Sequence, residues 1–228
     1  MDPLTLILGI IIGGILVGIC VHFIPCSAIG AMAASTGIAT GPTMLASGAG
    51  MMGLMAAAYN IHNDLSVILL AGAIGSMLML ALTSLVANIT YVFGIGVAPA
   101  SGQSKVDLFT KVPQRDYVSP QTEGHGIPTQ SFISGLIGGA LGGSGGALVF
   151  YSVYNFINII EVAGIIAVGI YIINGVLPAY TLVGKTEGFT DRKIKTTHKT
   201  LISCLIMSTL CAILIYAVSL LPKIIGSQ

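Results

Sequence analysis

Charge is scarce in this chain. Of its 228 residues only 7% are Asp, Glu, Lys or Arg, against about 25% in soluble domains, while 54% are hydrophobic and the mean hydropathy is +0.95. Too little polarity is present to cover a water-facing surface, so the composition describes an integral membrane protein. The net charge of +1 gives no electrostatic footprint for nucleic acid. The four cysteines, Cys20, Cys26, Cys204 and Cys211, have neither CxxC spacing nor partnered histidines, which points to apolar packing rather than a metal site or disulfides. Gly9 to Gly14 lacks the GKS/T ending of a phosphate loop. No nucleophile stands beside a base, no acid pair is present and no cofactor motif occurs. The sequence therefore predicts no catalytic residues, no metal and no cofactor held by this chain. No Met-Lys/Arg start or small-residue cleavage site precedes the first apolar run, so that run reads as a retained span rather than a signal peptide.

What is present is long apolar runs, continuous for about 20 residues or more, which suit helices and not the short alternating strands of a barrel. The expected fold is an all-α integral membrane protein with six transmembrane helices: Leu4–Ile24, Ser27–Ala58, Leu65–Val97, Ser131–Tyr154, Ile157–Tyr180 and Leu201–Leu221. The polar stretch Pro99–Pro128 divides the chain into a first three-helix half (1–98), a loop (99–128) and a second three-helix half (129–228). With six spans, Lys105, Lys111, Arg115, Lys185, Arg192, Lys193, Lys195 and Lys199 share one side, and only Lys223 lies on the other. The positive-inside rule makes those loops cytoplasmic and both termini extracellular. Three spans per half place the second half in the opposite sense, the inverted repeat of many transporters. Ile11-Ile12-Gly13-Gly14 and Leu136-Ile137-Gly138-Gly139 match weakly at corresponding places.

The fourth span carries two glycine ridges, Gly135/Gly139/Gly143 and Gly138/Gly142/Gly146, expected to merge into one face for helix packing. If a sodium-like cation crosses this chain, neutral oxygens must hold it. The Gly/Pro interruptions in corresponding spans, Thr40-Gly41-Pro42-Thr43 and Asn174-Gly175-Val176-Leu177-Pro178, are the best pointer to a midplane site. Thr40, Thr43, Asn88 and Asn174 are the candidates, with Glu161 at an outer mouth on a face shared with Gly164, Val168 and Gly175.

Tyr117-Val118-Ser119-Pro120-Gln121-Thr122-Glu123-Gly124-His125-Gly126-Ile127-Pro128-Thr129, joined to the glycine span, resembles the D subunit of tetrahydromethanopterin S-methyltransferase of methanogenic archaea. Met1-Asp2-Pro3-Leu4, Val21-His22-Phe23-Ile24-Pro25, Gly75-Ser76-Met77-Leu78-Met79 and Glu187-Gly188-Phe189 resemble that family in order and spacing. The resemblance implies a multi-pass protein of the cell membrane, part of a complex that transfers a methyl group from methyl-tetrahydromethanopterin to coenzyme M and exports sodium. It implies that the corrinoid and the methyl chemistry lie on partner proteins of the complex. Partners would be the C and E membrane subunits, the corrinoid-carrying A subunit and the lipid bilayer. Lys111, Arg115, Glu123, His125, Arg192 and Lys193 then fall in loops against which the corrinoid carrier would dock. A self-contained secondary transporter and a purely structural scaffold are the alternative readings.

Overall fold

A computed structural model of the chain describes residues 2–25, 42–92, 104–113, 127–180, 188–190 and 197–225. Every regular element among them is helical: α1 (Pro3–Phe23), α2 (Pro42–Tyr59), α3 (Leu65–Val92), α4 (Thr129–Ile157), α5 (Ile160–Val176) and α6 (Thr197–Ile225). Four of them, α1, α3, α4 and α6, are long and apolar enough to cross a membrane; α2 and α5 are shorter apolar helices. Of the expected second span, residues 27–41, Thr40 included, lie outside the described residues.

Local chemistry sets the helix ends. Proline has no N–H to lose at a first turn, and both α1 and α2 begin on one. Ile24, extended ahead of Pro25, closes α1. Asn158, in the left-handed conformation that Asn tolerates, ends α4 by donating its N–H to the Tyr154 carbonyl at 2.7 Å. The α-helix ends within the expected interruption of the fifth span: α5 stops at Val176 and passes into a 3-10 turn, Leu177–Tyr180. Pro178 supplies no amide hydrogen to the carbonyl of Asn174 four residues earlier, so the α pattern ends there.

α4 is the axis of the bundle, with α1 packed along one side, α3 along another and α2 and α5 also against it, while α6 lies on α1. α1 and α4 run antiparallel at glycine contact distance. A methyl added at Gly145 would meet the Gly13 carbonyl at 2.6 Å, and one at Gly13 would meet the Gly145 carbonyl at 2.5 Å. The two ridges of α4 do not form one face. Gly139 and Gly143 lie against α3 at Met77, Leu80, Gly72 and Ser76; Gly138 and Gly142 lie against Cys20 and Phe23 of α1; Gly146 lies under the ring of Tyr171 from α5. Gly135, beside Pro25, is looser, at 3.6 Å. Rows three and four residues apart wrap around a helix, so neighbouring ridges are free to meet different partners.

Helices from the two sides of residues 99–128 interlock, α3 on α4 and α6 on α1. Toward the end that holds the α2–α3 and α4–α5 turns, Leu6, Ile10, Ile61, Ile68, Phe150, Val153, Ala163 and Ile170 form a closed aliphatic core. The opposite end holds segment 104–113, the start of α4 and residues 188–190.

Candidate functional site

The last turn of α5 brings buried polar groups together halfway along the bundle. Asn174 faces Gly14, the middle of α1, and Ser208, near the middle of α6. Ser208 Oγ donates to Asn174 Oδ1 at 3.0 Å, and Asn174 Nδ2 donates to the Ile170 carbonyl at 2.9 Å. The Asn174 carbonyl, deprived of a helical donor by Pro178, has Cys204 Sγ at 3.7 Å instead. On the neighbouring flank of the same turn, Gly175 faces Thr43 and Ser47, the first turns of α2. Ser47 Oγ donates to the Thr43 carbonyl at 2.9 Å, whereas Thr43 Oγ1 is buried with no hydrogen-bond partner among the described residues. A buried hydroxyl left unpaired costs about 1–3 kcal/mol.

From this point a polar seam runs along the α1–α6 contact, because both helices repeat small or polar residues every fourth position. Gly14 meets Ser208, Gly18 meets Cys204 and Thr200, and His22 Nε2 lies 2.7 Å from Thr200 Oγ1. His22 Nδ1 is a second buried polar atom without a partner among the described residues. One turn earlier on α5, Tyr171 reaches between Gly50, Gly142 and Gly146 to Cys20, with its hydroxyl 4.0 Å from the sulfur.

The structure thus sets Asn174 and Thr43 on two adjoining flanks of one turn, Asn174 toward Ser208 and Thr43 against Gly175, and leaves Asn88 and Glu161 elsewhere. Asn88 is not at the midplane: its Oδ1 accepts the N–H of Ile127 at 3.1 Å, tying the end of α3 to the entry of α4. Glu161 is exposed in the first turn of α5, about 20 Å from Asn174 along the helix axis. Gly164, on the face it shares in sequence, has nothing within 4 Å of its would-be side chain among the described residues. Of the expected docking residues, Lys111 is exposed; Arg115, Glu123, His125, Arg192 and Lys193 lie outside the described residues. Ser208, Cys204, Thr200 and His22 join the cluster although the sequence pattern does not mark them as site residues.

The end of α4 away from the turns is fastened by two knots. In the first, Asp107 is buried, and its carboxylate accepts the N–H groups of Phe109 and Thr110 at 2.9 Å and of Gln130 at 3.2 Å. Gln130 answers through its side chain, accepting from Leu108 N–H at 2.9 Å and donating to Ser104 Oγ at 3.0 Å. In the second, Ser134 Oγ donates to the Phe23 carbonyl at 2.6 Å and accepts the N–H of Phe189 at 2.8 Å, beneath Gly188 at φ +85°.

Burial by itself would raise the pKa of Asp107. The donors from Thr110, Gln130 and Phe109 outweigh it and hold the carboxyl below its ordinary 3.8. A carboxyl with a depressed folded-state pKa contributes stability that is complete above the unfolded value and lost as pH falls through the folded one. Hydrogen exchange of the Phe109 and Thr110 amides is therefore expected to stay protected from neutral pH down through the ordinary carboxylate range and to open only below it. Asp107→Ala should remove that protection at every pH, at a cost of about 1.5–3 kcal/mol for a charged hydrogen-bond set.

The family model for the D subunit of tetrahydromethanopterin S-methyltransferase matches residues 3–208 of the chain. The D subunit of Methanothermobacter marburgensis is 48% identical over 217 residues, covering 91% of this chain and 93% of the relative. Its Methanosarcina barkeri counterpart is 46% identical over 224 residues, with 90% of each chain covered. That of Methanopyrus kandleri is 42% identical over 224 residues, covering 97% of this chain and all of the relative.

Proposed function

Because the chain belongs to the D-subunit family of tetrahydromethanopterin S-methyltransferase, we propose that it is the multi-pass cell-membrane component through which methyl transfer to coenzyme M is coupled, at least in part, to sodium export. Its six apolar runs cross alternately, with both termini outside and the knotted end in the cytoplasm. Support comes from the placement of eight of the nine Lys and Arg residues on one side, seven in the stretches between helices and Lys199 in the first turn of α6. The antiparallel contact of α1 with α4, and the exchange of α3 and α6 between halves, suit an inverted repeat.

The observation that carries the ion-path reading is the buried oxygens on two adjoining flanks of the last turn of α5. Asn174 Oδ1, Ser208 Oγ and the unpaired Thr43 Oγ1 are neutral hard donors of the kind a dehydrated sodium ion takes. The carbonyl end of α5 adds a partial negative charge beside them. The α1–α6 seam leads from that point toward the cytoplasmic end, whereas the aliphatic core around Phe150 closes the outer side. Glu161 marks the outer rim, where a carboxylate attracts cations without the cost of mid-depth burial. The C and E membrane subunits complete the assembly. The corrinoid that supplies the methyl-transfer chemistry is carried by the A subunit, which docks on the loops that include Arg115, Glu123, His125, Arg192 and Lys193. Docking drives an ion only by favouring one of two helix arrangements over the other.

The test compares the parent complex with an Asn174→Leu, Thr43→Val double variant, once equal assembly is established. Sodium uptake by inverted vesicles and the sodium dependence of methyl transfer are both measured. The expected result is loss of uptake, or a sodium requirement raised about tenfold, the factor that 1.4 kcal/mol of lost coordination produces. Unchanged coupling would move the path to the partner membrane proteins and leave this chain a scaffold.

A further inference from the structure

Segment 104–113 is held tightly and yet turns apolar side chains outward. Asp107 and Gln130 fix it through five hydrogen bonds. Lys111 is kept at φ 60°, a conformation that side-chain-bearing residues rarely adopt, by its N–H to the Asp107 carbonyl at 3.1 Å. Val106, Leu108 and Phe109 nevertheless remain 45%, 50% and 49% exposed. A strained turn fixed so that it presents three apolar side chains to water alone gains nothing from them.

The depth of the anchor says what lies beside them. Ser134 bonds to Phe23, the last residue of α1, so that level marks the end of a 21-residue helix, about 31 Å long and matched to the hydrocarbon core. Gln130 lies one turn further along α4, about 6 Å beyond, within the headgroup layer. The charge agrees. The only carboxylate of the segment is buried and consumed by backbone donors, which leaves Lys105 and Lys111 as its exposed charges.

We propose that segment 104–113 is a bilayer anchor, which seats Leu108, Phe109 and Val106 at the acyl-chain boundary and sets Lys105 and Lys111 among anionic lipid headgroups. It rests on the membrane fold and is independent of the ion-path reading. Apolar side chains flanked by lysines suit this layer, the apolar groups dipping toward the acyl chains while the ammonium groups meet the headgroups. The Asp107–Gln130 knot then transmits the position of the interface directly to the first turn of α4.

The chain contains no tryptophan, so Phe109→Trp in the full chain, reconstituted into vesicles of phosphocholine and anionic phosphoglycerol lipids, reports on this segment alone. Measurements use preparations in which Leu210→Trp, on an exposed stretch of α6, is quenched by lipid brominated deep in the chain. The expected result is blue-shifted emission, roughly twofold quenched by lipid brominated near the headgroup and shielded from aqueous iodide. Adding Asp107→Ala should return the tryptophan to iodide, because it releases the turn. Red-shifted emission quenched by iodide and indifferent to brominated lipid would overturn the proposal and assign the segment to water or to a partner protein.

Discussion

Replacing Gly143 with alanine should destabilise the bundle by about 3 kcal/mol or more, at the upper end of what one added methyl does in a well-packed interior. The reason is that its neighbours are backbone. The added Cβ would overlap the Gly72 carbonyl oxygen and come within 2.6 Å of Ser76 Cβ. From the other side, a Cβ at Gly53 would meet the same Gly72 oxygen at 2.6 Å and the Gly143 Cα at 3.1 Å. Helices α2, α3 and α4 thus cross at three glycines, and none of the three can turn aside as a flexible side chain would. In lipid such close approach is the source of helix affinity, since apolar burial between helices gives little there. Thermal unfolding of the purified complex in detergent is the measurement, with Gly164→Ala as the control. Gly164 has no heavy atom of the described residues within 4 Å of its would-be Cβ, and its substitution should stay within about 0.5 kcal/mol of the parent. Equal stability of the two variants would contradict the three-glycine crossing.

Gly188→Ala should open the end of the bundle that holds segment 104–113. Two separate effects add at this residue. Its φ of +85° is strained for any L side chain, and the new Cβ would press on Ser134 and stand 2.8 Å from the Phe23 carbonyl. The left-handed backbone alone costs about 1–2 kcal/mol. Ser134 would then have to give up Phe189, Phe23 or both, and these are the contacts that hold the loop before α6 to the ends of α1 and α4. Limited trypsin digestion gives the readout, because Lys185, Arg192, Lys193 and Lys195 flank the knot in sequence. Cleavage there should speed up at least about tenfold, the factor matching 1.4 kcal/mol of lost closure. Ser134→Ala, which removes the hydrogen bonds without the backbone strain, should show a smaller increase. A cleavage rate equal to the parent's would mean that the turn is not held in this way.

Much of the fold is legible because lipid imposes one rule: apolar runs must become helices, and Pro and Gly mark where they stop. The described helices fall where the runs do, and the ends of α1, α4, α5 and α6 lie a few residues from the expected ones. Thr43 and Asn174 stand out for the same reason, since each lies beside an interruption in an otherwise uniform stretch. The residues that complete their cluster do not. Ser208, Cys204 and Thr200 are single small polar residues in the last apolar run, inconspicuous until the α1–α6 contact brings them to Gly14, Gly18 and His22. Adjacency of the first and last helices is a property of topology, which local pattern does not carry. Asn88 differs: a polar residue near the end of an apolar run resembles a ligand, but its amide oxygen accepts the N–H of Ile127 at the entry of α4. For Asp107 the local half is readable, because Asp often caps the amides two and three positions on. Its link to Gln130, 23 residues later, is not.

The interlocking of the halves bears on how the chain is made. As α1, α2 and α3 leave the ribosome, α3 has α2 to lie against, but α1 barely touches α2. The glycine surfaces of α1 and α3 stay without their principal neighbour until α4 has been synthesised, and the outer flank of α1 stays bare until α6 follows. Assembly is therefore a late event in synthesis, completed from the C-terminal side, and neither half is a stable building block that waits for the other.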